Sequence, residues 1–398
     1  MEDIEFDNIA FASDPYPLYR QLREAEEPYW LSHTQSKSSS PGFWLFSRYA
    51  DVVDILKLSG PLSKQITRVR SPDDITPMDL SMLNQDPPEH TRLRNLVNQT
   101  FTARQIKELE PRIEKIIDEL IARMRMKVSG DFVADFALHI PVMVIAELLG
   151  VPPEDKDKFR HWSRQIIIGY DSVIASTGNL EQQETAMQAL IYYFNQLIEK
   201  RRQHPYDDLI SSLINAYDRQ GKLSPGELLG MCVLFLIAGF ETTVNLLSNG
   251  LYTILRYPEQ FQLLRQCPEY LPSAIEEMLR FESPIQRSTF RITTEACKLG
   301  GKQLNQGEQI CAMIGAANRD PEQFPQPDTF DITRTPNRHL AFGLGIHTCL
   351  GAVLARTEAR IVFERVLDQL PNIRLSSKTP EWNTTTFFRG LRVLPVHY

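Results

Sequence analysis

Positive charge is scarce in this chain. Its 43 lysines and arginines face 50 aspartates and glutamates, for a net charge of −7, whereas a nucleic-acid binder needs the opposite balance. Cysteine is also sparse: Cys232, Cys267, Cys297, Cys311 and Cys349 are widely and irregularly spaced. Without a Cys-x-x-Cys pair, there is no sign of a structural zinc site or a redox dithiol. An odd cysteine count speaks against a disulfide framework. Long apolar runs are lacking too. The longest, Leu228 to Phe240, is ended by Glu241 and falls short of the ~18 residues a membrane span takes. The first ten residues are acidic, unlike a signal peptide or a mitochondrial presequence. The expectation is a cytoplasmic protein without a membrane anchor. No internal repeat and no long linker divides the 398 residues, so they read as one domain, 1–398.

What is present is mostly helical patterning. Asp14-Pro15 opens a helix to about Glu27, and Tyr29–Leu31 and Gly42–Phe46 read as a hairpin. Helices are expected at Asp51–Leu58, Pro88–Gln99, Ala103–Met124, Phe132–Leu149, Pro153–Ile167, Leu180–Arg202 and Asp207–Tyr217. Ser224-Pro225-Gly226-Glu227 is a capping-box start with proline at the first helical position. The helix it opens reaches about Arg256 and is apolar nearly all round over Leu228–Phe240, so it should cross the interior. Two more helices, Pro258–Cys267 and Leu271–Phe281, precede short strands at Phe290–Ile292, Cys297–Leu299 and Gln309–Ile314. Asn318–Arg338 reads as coil, Leu350–Leu367 as the last helix and Asn372–Val396 as terminal strands. Ser59–Pro87 has no clear period and is long for a loop, which points to function or disorder. The fold class is mainly α with small β-sheets (α+β).

Chemistry concentrates in Ala341-Phe342-Gly343-Leu344-Gly345-Ile346-His347-Thr348-Cys349-Leu350-Gly351. One cysteine stands among glycines where an irregular turn enters a helix. A thiolate there would be stabilised by the helix N-terminus, or more strongly by a metal. Gly343 and Gly345 permit positive φ and close approach of a large flat ligand, and Gly351 leaves the sulfur open. The second constellation is Ala238-Gly239-Phe240-Glu241-Thr242-Thr243. Ala238 and Thr242 share a helix face, Gly239 removes bulk, and an acid inside an apolar helix is costly without partners or a task. Third, Glu277 and Arg280 lie i, i+3 and can pair.

The order Phe-x-x-Gly-x-His-x-Cys-x-Gly resembles the haem-binding loop of cytochrome P450. By ordinary residue usage it would arise by accident on the order of once in ten thousand such chains. The Ala238–Thr243 segment resembles the family's oxygen-binding helix. Phe101-Thr102-Ala103-Arg104, Ala316–Pro321 and Pro327–Asp331 extend the resemblance over nearly the whole chain. It implies a cytochrome P450 fold with haem b between the long central helix and the cysteine loop. Cys349 is then the proximal iron ligand, with Ala238, Gly239, Phe342, Gly343, His347 and Gly351 around the haem. His90, Arg94, Arg291 and His339 match propionate partners. Thr242 would steady dioxygen and Glu241 relay protons. Glu277, Arg280 and Arg334 would form a structural network.

The implied activity is monooxygenation of a small apolar substrate: a polyketide or macrolide, a fatty acid, or a steroid or terpenoid. Electrons would come from a ferredoxin or flavodoxin with an NAD(P)H reductase, delivered to a monomer near Arg104, Arg356 and Arg360. A hydrogen-peroxide-driven peroxygenase and a non-catalytic haem sensor are the alternatives. Pocket walls are expected from Ser59–Pro87, Ile166–Gly178, Phe235–Thr243, Ile285–Phe290 (with Thr289) and Thr384–Phe388. Lys64, Arg68 and Arg70 could meet an anionic substrate group or simply form a solvated basic loop.

Overall fold

The computed structural model describes residues 12–32, 42–57, 60–65, 75–98, 101–171, 180–206, 208–218, 223–376 and 378–398. Arg68 and Arg70 lie outside them, as do residues 172–178 of one expected pocket wall. The longer described helices are α1 (Tyr16–Glu24), α2 (Tyr49–Leu56), α3 (Glu89–Asn98), α4 (Ala103–Arg125), α5 (His139–Leu149), α6 (Lys156–Asp171), α7 (Leu180–Gln203), α8 (Leu209–Asp218), α9 (Pro225–Arg256), α10 (Pro258–Gln266), α11 (Leu271–Phe281) and α12 (Ala352–Gln369).

The central member is α9. Ser224 Oγ accepts from the Glu227 backbone N–H, and the Glu227 carboxylate accepts from the Ser224 N–H. This is the reciprocal cap expected from the sequence. At about 1.5 Å per residue, its 32 residues span roughly 48 Å. By length and composition α9 could cross a membrane, yet 72% of its most apolar window is buried inside the protein. Its flanks pack on two apolar clusters. Val244, Leu247 and Leu251 join Ile117, Ile121, Phe136 and Phe363; Met231, Val233 and Leu236 join Leu93, Phe194 and Leu213.

The strands form small sheets. A five-stranded sheet is built from β1 (Tyr29–Ser32), β2 (Gly42–Phe46), β3 (Leu62–Ser63), β4 (Arg291–Thr293) and β5 (Gln309–Ala312), in the order β1-β2-β5-β4-β3. The expected hairpin is its outer pair, antiparallel with Tyr29 opposite Leu45. β2 runs parallel to β5, which takes a long crossover. Strand β4, paired on both sides, carries Arg291, which lines the cavity described below.

Two expectations change. Phe132–Leu149 is not one helix: Val133–Ala137 forms a wide π turn before α5 begins at His139. Pro141 has no N–H to continue the ladder through that region. The described part of Ser59–Pro87 is ordered by β3 and by two 3₁₀ turns, Pro77–Leu80 and Met82–Asn84. Local side-chain bonds explain why no period is visible: the Thr76 hydroxyl and backbone N–H both donate to Asp79, at 2.7 and 2.9 Å.

Candidate active site

A cavity of about 1120 Å³ lies between α9 and the cysteine loop. Ala238, Gly239, Thr242 and Thr243 form one wall, and Phe342, Gly343, His347, Cys349 and Gly351 face them. Ile285, Thr289, Phe235 and Phe388 continue the lining. The sequence had marked all of these individually or by segment. The Ile166–Gly178 wall contributes no described lining residue. One face of α7 also lines the cavity, with Gln183, Met187 and Ile191 at i, i+4 and i+8.

The cysteine loop is shaped by its glycines. Gly343 and Gly345 hold φ of +68° and +75°, which side-chain-bearing residues rarely adopt. Gly345 also packs beside the Leu56 carbonyl, 3.1 Å from where a Cβ would stand. The turn is closed by the Cys349 N–H donating to the Phe342 carbonyl at 2.8 Å. The sulfur is open to the cavity. A Cβ on Gly351 would meet nothing within 4 Å. Burial away from bulk water pushes the Cys349 thiol up, while the Gly351 N–H, Arg94 and Arg356 pull it down. Burial prevails, so a thiolate there needs a further positive partner, which a metal ion supplies.

Cations gather beside this loop. His90 and Arg94 project from one face of α3, and Arg291, His347 and Lys64 meet them around the cavity. Both ring nitrogens of His90, Nε2 of His347 and Nε of Arg291 are buried without a hydrogen-bond partner. Burial, with the nearby charges of Arg94 and Lys64, pushes His90 and His347 down. Burial chiefly pushes Arg291 down to about 10, and Lys64 falls well below its ordinary value through burial and the Arg291 charge. Clustered basic groups with unpartnered nitrogens fit a ligand carrying two carboxylates, because anions would offset the burial cost and the repulsion of their charged forms. An open sulfur, a slot floored by glycine and this cationic rim together fit haem.

Lys64 belongs to this rim, although the sequence had left it between a substrate contact and a solvated loop residue. It is only 2% exposed. Its backbone N–H donates to Asp86 at 2.9 Å.

His339 does not belong to the rim, and its expected role is corrected. Its Nε2 lies 3.0 Å from Glu276, and its Nδ1 accepts from the Ala341 N–H at 3.2 Å. Both ring nitrogens are spent below the loop, and His339 does not line the cavity.

Thr242 Oγ1 donates to the Ala238 carbonyl at 2.8 Å, leaving its lone pairs for the cavity. Glu241, half-buried, is not a lining residue. Burial pushes it up to about 6 against the opposing charge of Arg164 on α6. Two neighbouring residues thus reach the inside and the outside of the α9 wall.

Beneath the cavity, Glu277 and Arg280 are fully buried. Two bonds of 2.7 and 2.8 Å join them. Arg280 also donates to the carbonyls of Asn318, Pro327 and Thr329, and Arg334 reaches Glu277 at 3.2 Å. This is the expected structural network, tying α11 to the coil before the loop. The three arginines expected on the electron-delivery face all carry acid partners: Arg104 pairs with Glu108, Arg356 with Glu276, and Arg360 with Glu110 and Glu364.

An acid is among the cavity residues that went unmarked. Glu358 is 2% exposed, lines the cavity, and its Oε2 has no partner. Burial pushes it up to about 8. It falls four residues after Leu354 and three before Ile361, both buried. That spacing on an apolar helix face was a readable signal.

Comparison with known proteins agrees with this geometry. The cytochrome P450 family model matches residues 46–387. Cytochrome P450 107B1 of Saccharopolyspora erythraea is 40% identical, covering 99% of this chain and 97% of the relative. The vitamin D(3) 25-hydroxylase of Pseudonocardia autotrophica is 40% identical over 97% of this chain and 94% of its own. The crystal structure of myxobacterial CYP267B1 in complex with myristic acid superposes with a TM-score of 0.91. It is 38% identical and covers 99% of this chain and 98% of that one. With haem b as its cofactor and monooxygenation as its reaction, the chain belongs to the cytochrome P450 family.

Proposed function

We propose that residues 1–398 form one catalytic unit that oxygenates an extended apolar molecule: a fatty acid, a steroid or terpenoid, or a polyketide. The observation that carries this reading is the open Cys349 sulfur facing Thr242 across a largely apolar cavity whose rim is cationic. Cys349 would hold the haem iron, and His90, Arg94, Arg291, His347 and Lys64 would hold the propionates. When bound, haem supplies dioxygen activation, with thiolate donation favouring O–O cleavage.

The chain's own residues do the rest. Phe235, Ile285 and Phe388 shed water and orient an apolar substrate. Ala238 keeps the α9 wall low at the haem slot, and Gly239 admits the Ile145 side chain, which would stand 3.0 Å from a Cβ there. Thr242 presents an oxygen that accepts or passes on a proton inside the cavity. Glu241, with a pKa of about 6, exchanges protons near neutral pH on the outer side and hands them towards Thr242.

The relatives support the substrate range: one is named a vitamin D(3) hydroxylase and another was crystallised with myristic acid. The proposed electron donor is a ferredoxin or flavodoxin with its NAD(P)H reductase. A peroxide-driven reading is less well supported, because the Glu241–Thr242 pair serves proton delivery that peroxide chemistry does not need. A sensor reading has no feature of this cavity to favour it.

The test is spectroscopic and then catalytic. Reduced holoenzyme under carbon monoxide should show the red-shifted Soret band of a thiolate ligand, and Cys349→Ala should lose it. A surviving band would end the assignment. Fatty acids, steroids and macrolides would then be screened for a change in iron spin state. Binders would be turned over with a ferredoxin system and, separately, with hydrogen peroxide alone.

A further inference from the structure

Below the cysteine loop, a short chain of contacts connects α11 to the sulfur-bearing residue. Both carboxylate oxygens of Glu276 accept from Arg356, at 2.6 and 2.7 Å. The Arg356 guanidinium carbon sits 4.3 Å from the centroid of the Phe342 ring, within the range where a cation is attracted to a π face. The carbonyl of Phe342 accepts the Cys349 N–H at 2.8 Å. Arg356 is among the charges acting on Cys349. His339, freed from any place in the rim, supplies a third hydrogen bond to the same carboxylate at 3.0 Å.

This arrangement has a physical purpose that helix stability does not explain. An arginine on a helix can sweep a large volume, and 41% of the Arg356 side chain is exposed. Left alone, it would extend into water, where its charge is screened from the loop. A two-pronged carboxylate fixes the planar guanidinium in one orientation. The partners pull Glu276 down to about 2, so the clamp stays charged over the working pH range.

We propose that Glu276 is a positioning residue that holds the Arg356 cation against Phe342, and so sets the electrostatic environment of the Cys349 thiolate and the ease of reducing the haem. This rests on Cys349 being the iron ligand. The cation favours the state with one more electron. The acid acts through the arginine, not by its own charge.

The test measures the ferric–ferrous midpoint potential of the holoenzyme by spectroelectrochemistry. Arg356→Gln should shift it downward. Glu276→Ala should shift it in the same direction, because the released arginine leaves the ring, and the double variant should add nothing further. An upward shift in Glu276→Ala, as expected if an acid merely acted by its own charge, would overturn the proposal, as would no shift. Should Glu276→Ala fail to retain haem, Arg356→Lys serves instead. It keeps the charge but cannot fork or stack, so a downward shift supports positioning and a wild-type potential overturns it. A raised KM for ferredoxin with an unmoved potential would assign the pair to docking and likewise overturn it. The ferrous carbon monoxide spectrum of the wild type separates failure of this idea from failure of the thiolate assignment: without the red-shifted band, the ligand itself is wrong.

Discussion

The rings of His90 and His347 stand with centroids 4.3 Å apart, one on α3 and the other in the cysteine loop. Neither His90 nitrogen, nor His347 Nε2, has a protein partner. Both imidazoles are buried beside Arg94 and Lys64, so a proton on either ring is disfavoured by lost hydration and by those neighbouring charges. In the protein alone both are therefore held towards the neutral form. An anion between them would reverse this, since a nearby negative charge favours the protonated ring.

Haem retention should accordingly depend on this group. In the double variant His90→Ala, Arg94→Ala, haem transfer to excess apomyoglobin should be faster by at least about tenfold. That corresponds to roughly 1.4 kcal/mol, a modest share of what two charge-assisted hydrogen bonds contribute. The ferrous carbon monoxide Soret band should not move, because the sulfur ligand is untouched. An unchanged transfer rate would remove these residues from the propionate set.

The parts legible in the sequence were those governed by local rules. The α9 start follows from Ser224 and Glu227, three residues apart, and the glycine turn from positive φ at Gly343 and Gly345. His339 was misplaced because it lies in coil, where no period tells which way a side chain faces. Only the folded position of Glu276 shows what it binds. Lys64 was hard to place for a related reason. Its charged neighbours Asp86 and Arg291 are distant in sequence and are brought beside it only by the five-stranded sheet and a loop with no pattern. The α7 wall was missed although its stripe is regular, because apolar and polar residues alternate along it and the cavity face looks like a solvated one.

Thr242→Ala should bind haem and substrate yet divert reducing equivalents into peroxide, because the hydroxyl held on Ala238 no longer passes protons into the cavity. Comparing NAD(P)H consumed, peroxide released and product formed will show it. Wild-type coupling would take Thr242 out of the mechanism. Glu241→Gln should slow turnover by about 10²-fold, the usual scale for losing a positioned acid or base. The wild-type pH profile should inflect near the Glu241 value of about 6, and the glutamine variant should lose that inflection.

Glu358 makes a prediction about stability. Burial raises it from 4.5 to about 8. Between those values the folded apoprotein keeps a proton that the unfolded chain has released. Unfolding then releases a proton, so stability falls as pH rises through this window. Glu241 contributes with the same sign over its smaller range, up to about 6. Urea unfolding of the apoprotein should show Glu358→Gln gaining on wild type steadily from pH 5 to pH 8. A difference that is constant with pH would mean that Glu358 is ionised in the folded protein.

The pair Glu277–Arg280 tests how the loop is held. Both side chains are fully buried, so removing one leaves an uncompensated charge out of water. The expected cost is about 3–5 kcal/mol. Glu277→Ala should therefore lower folded stability severely. It strands Arg280, and Arg334 also loses its carboxylate partner. The Asp331 N–H and the Asn337 amide lose acceptors as well. Arg334→Ala should cost far less, since the Glu277–Arg280 bonds survive it. These residues touch neither cavity nor sulfur. Any Glu277→Ala protein that folds and retains haem should thus keep the thiolate spectrum while unfolding at lower temperature, and equal thermal stability of the two single variants would contradict the network drawn here.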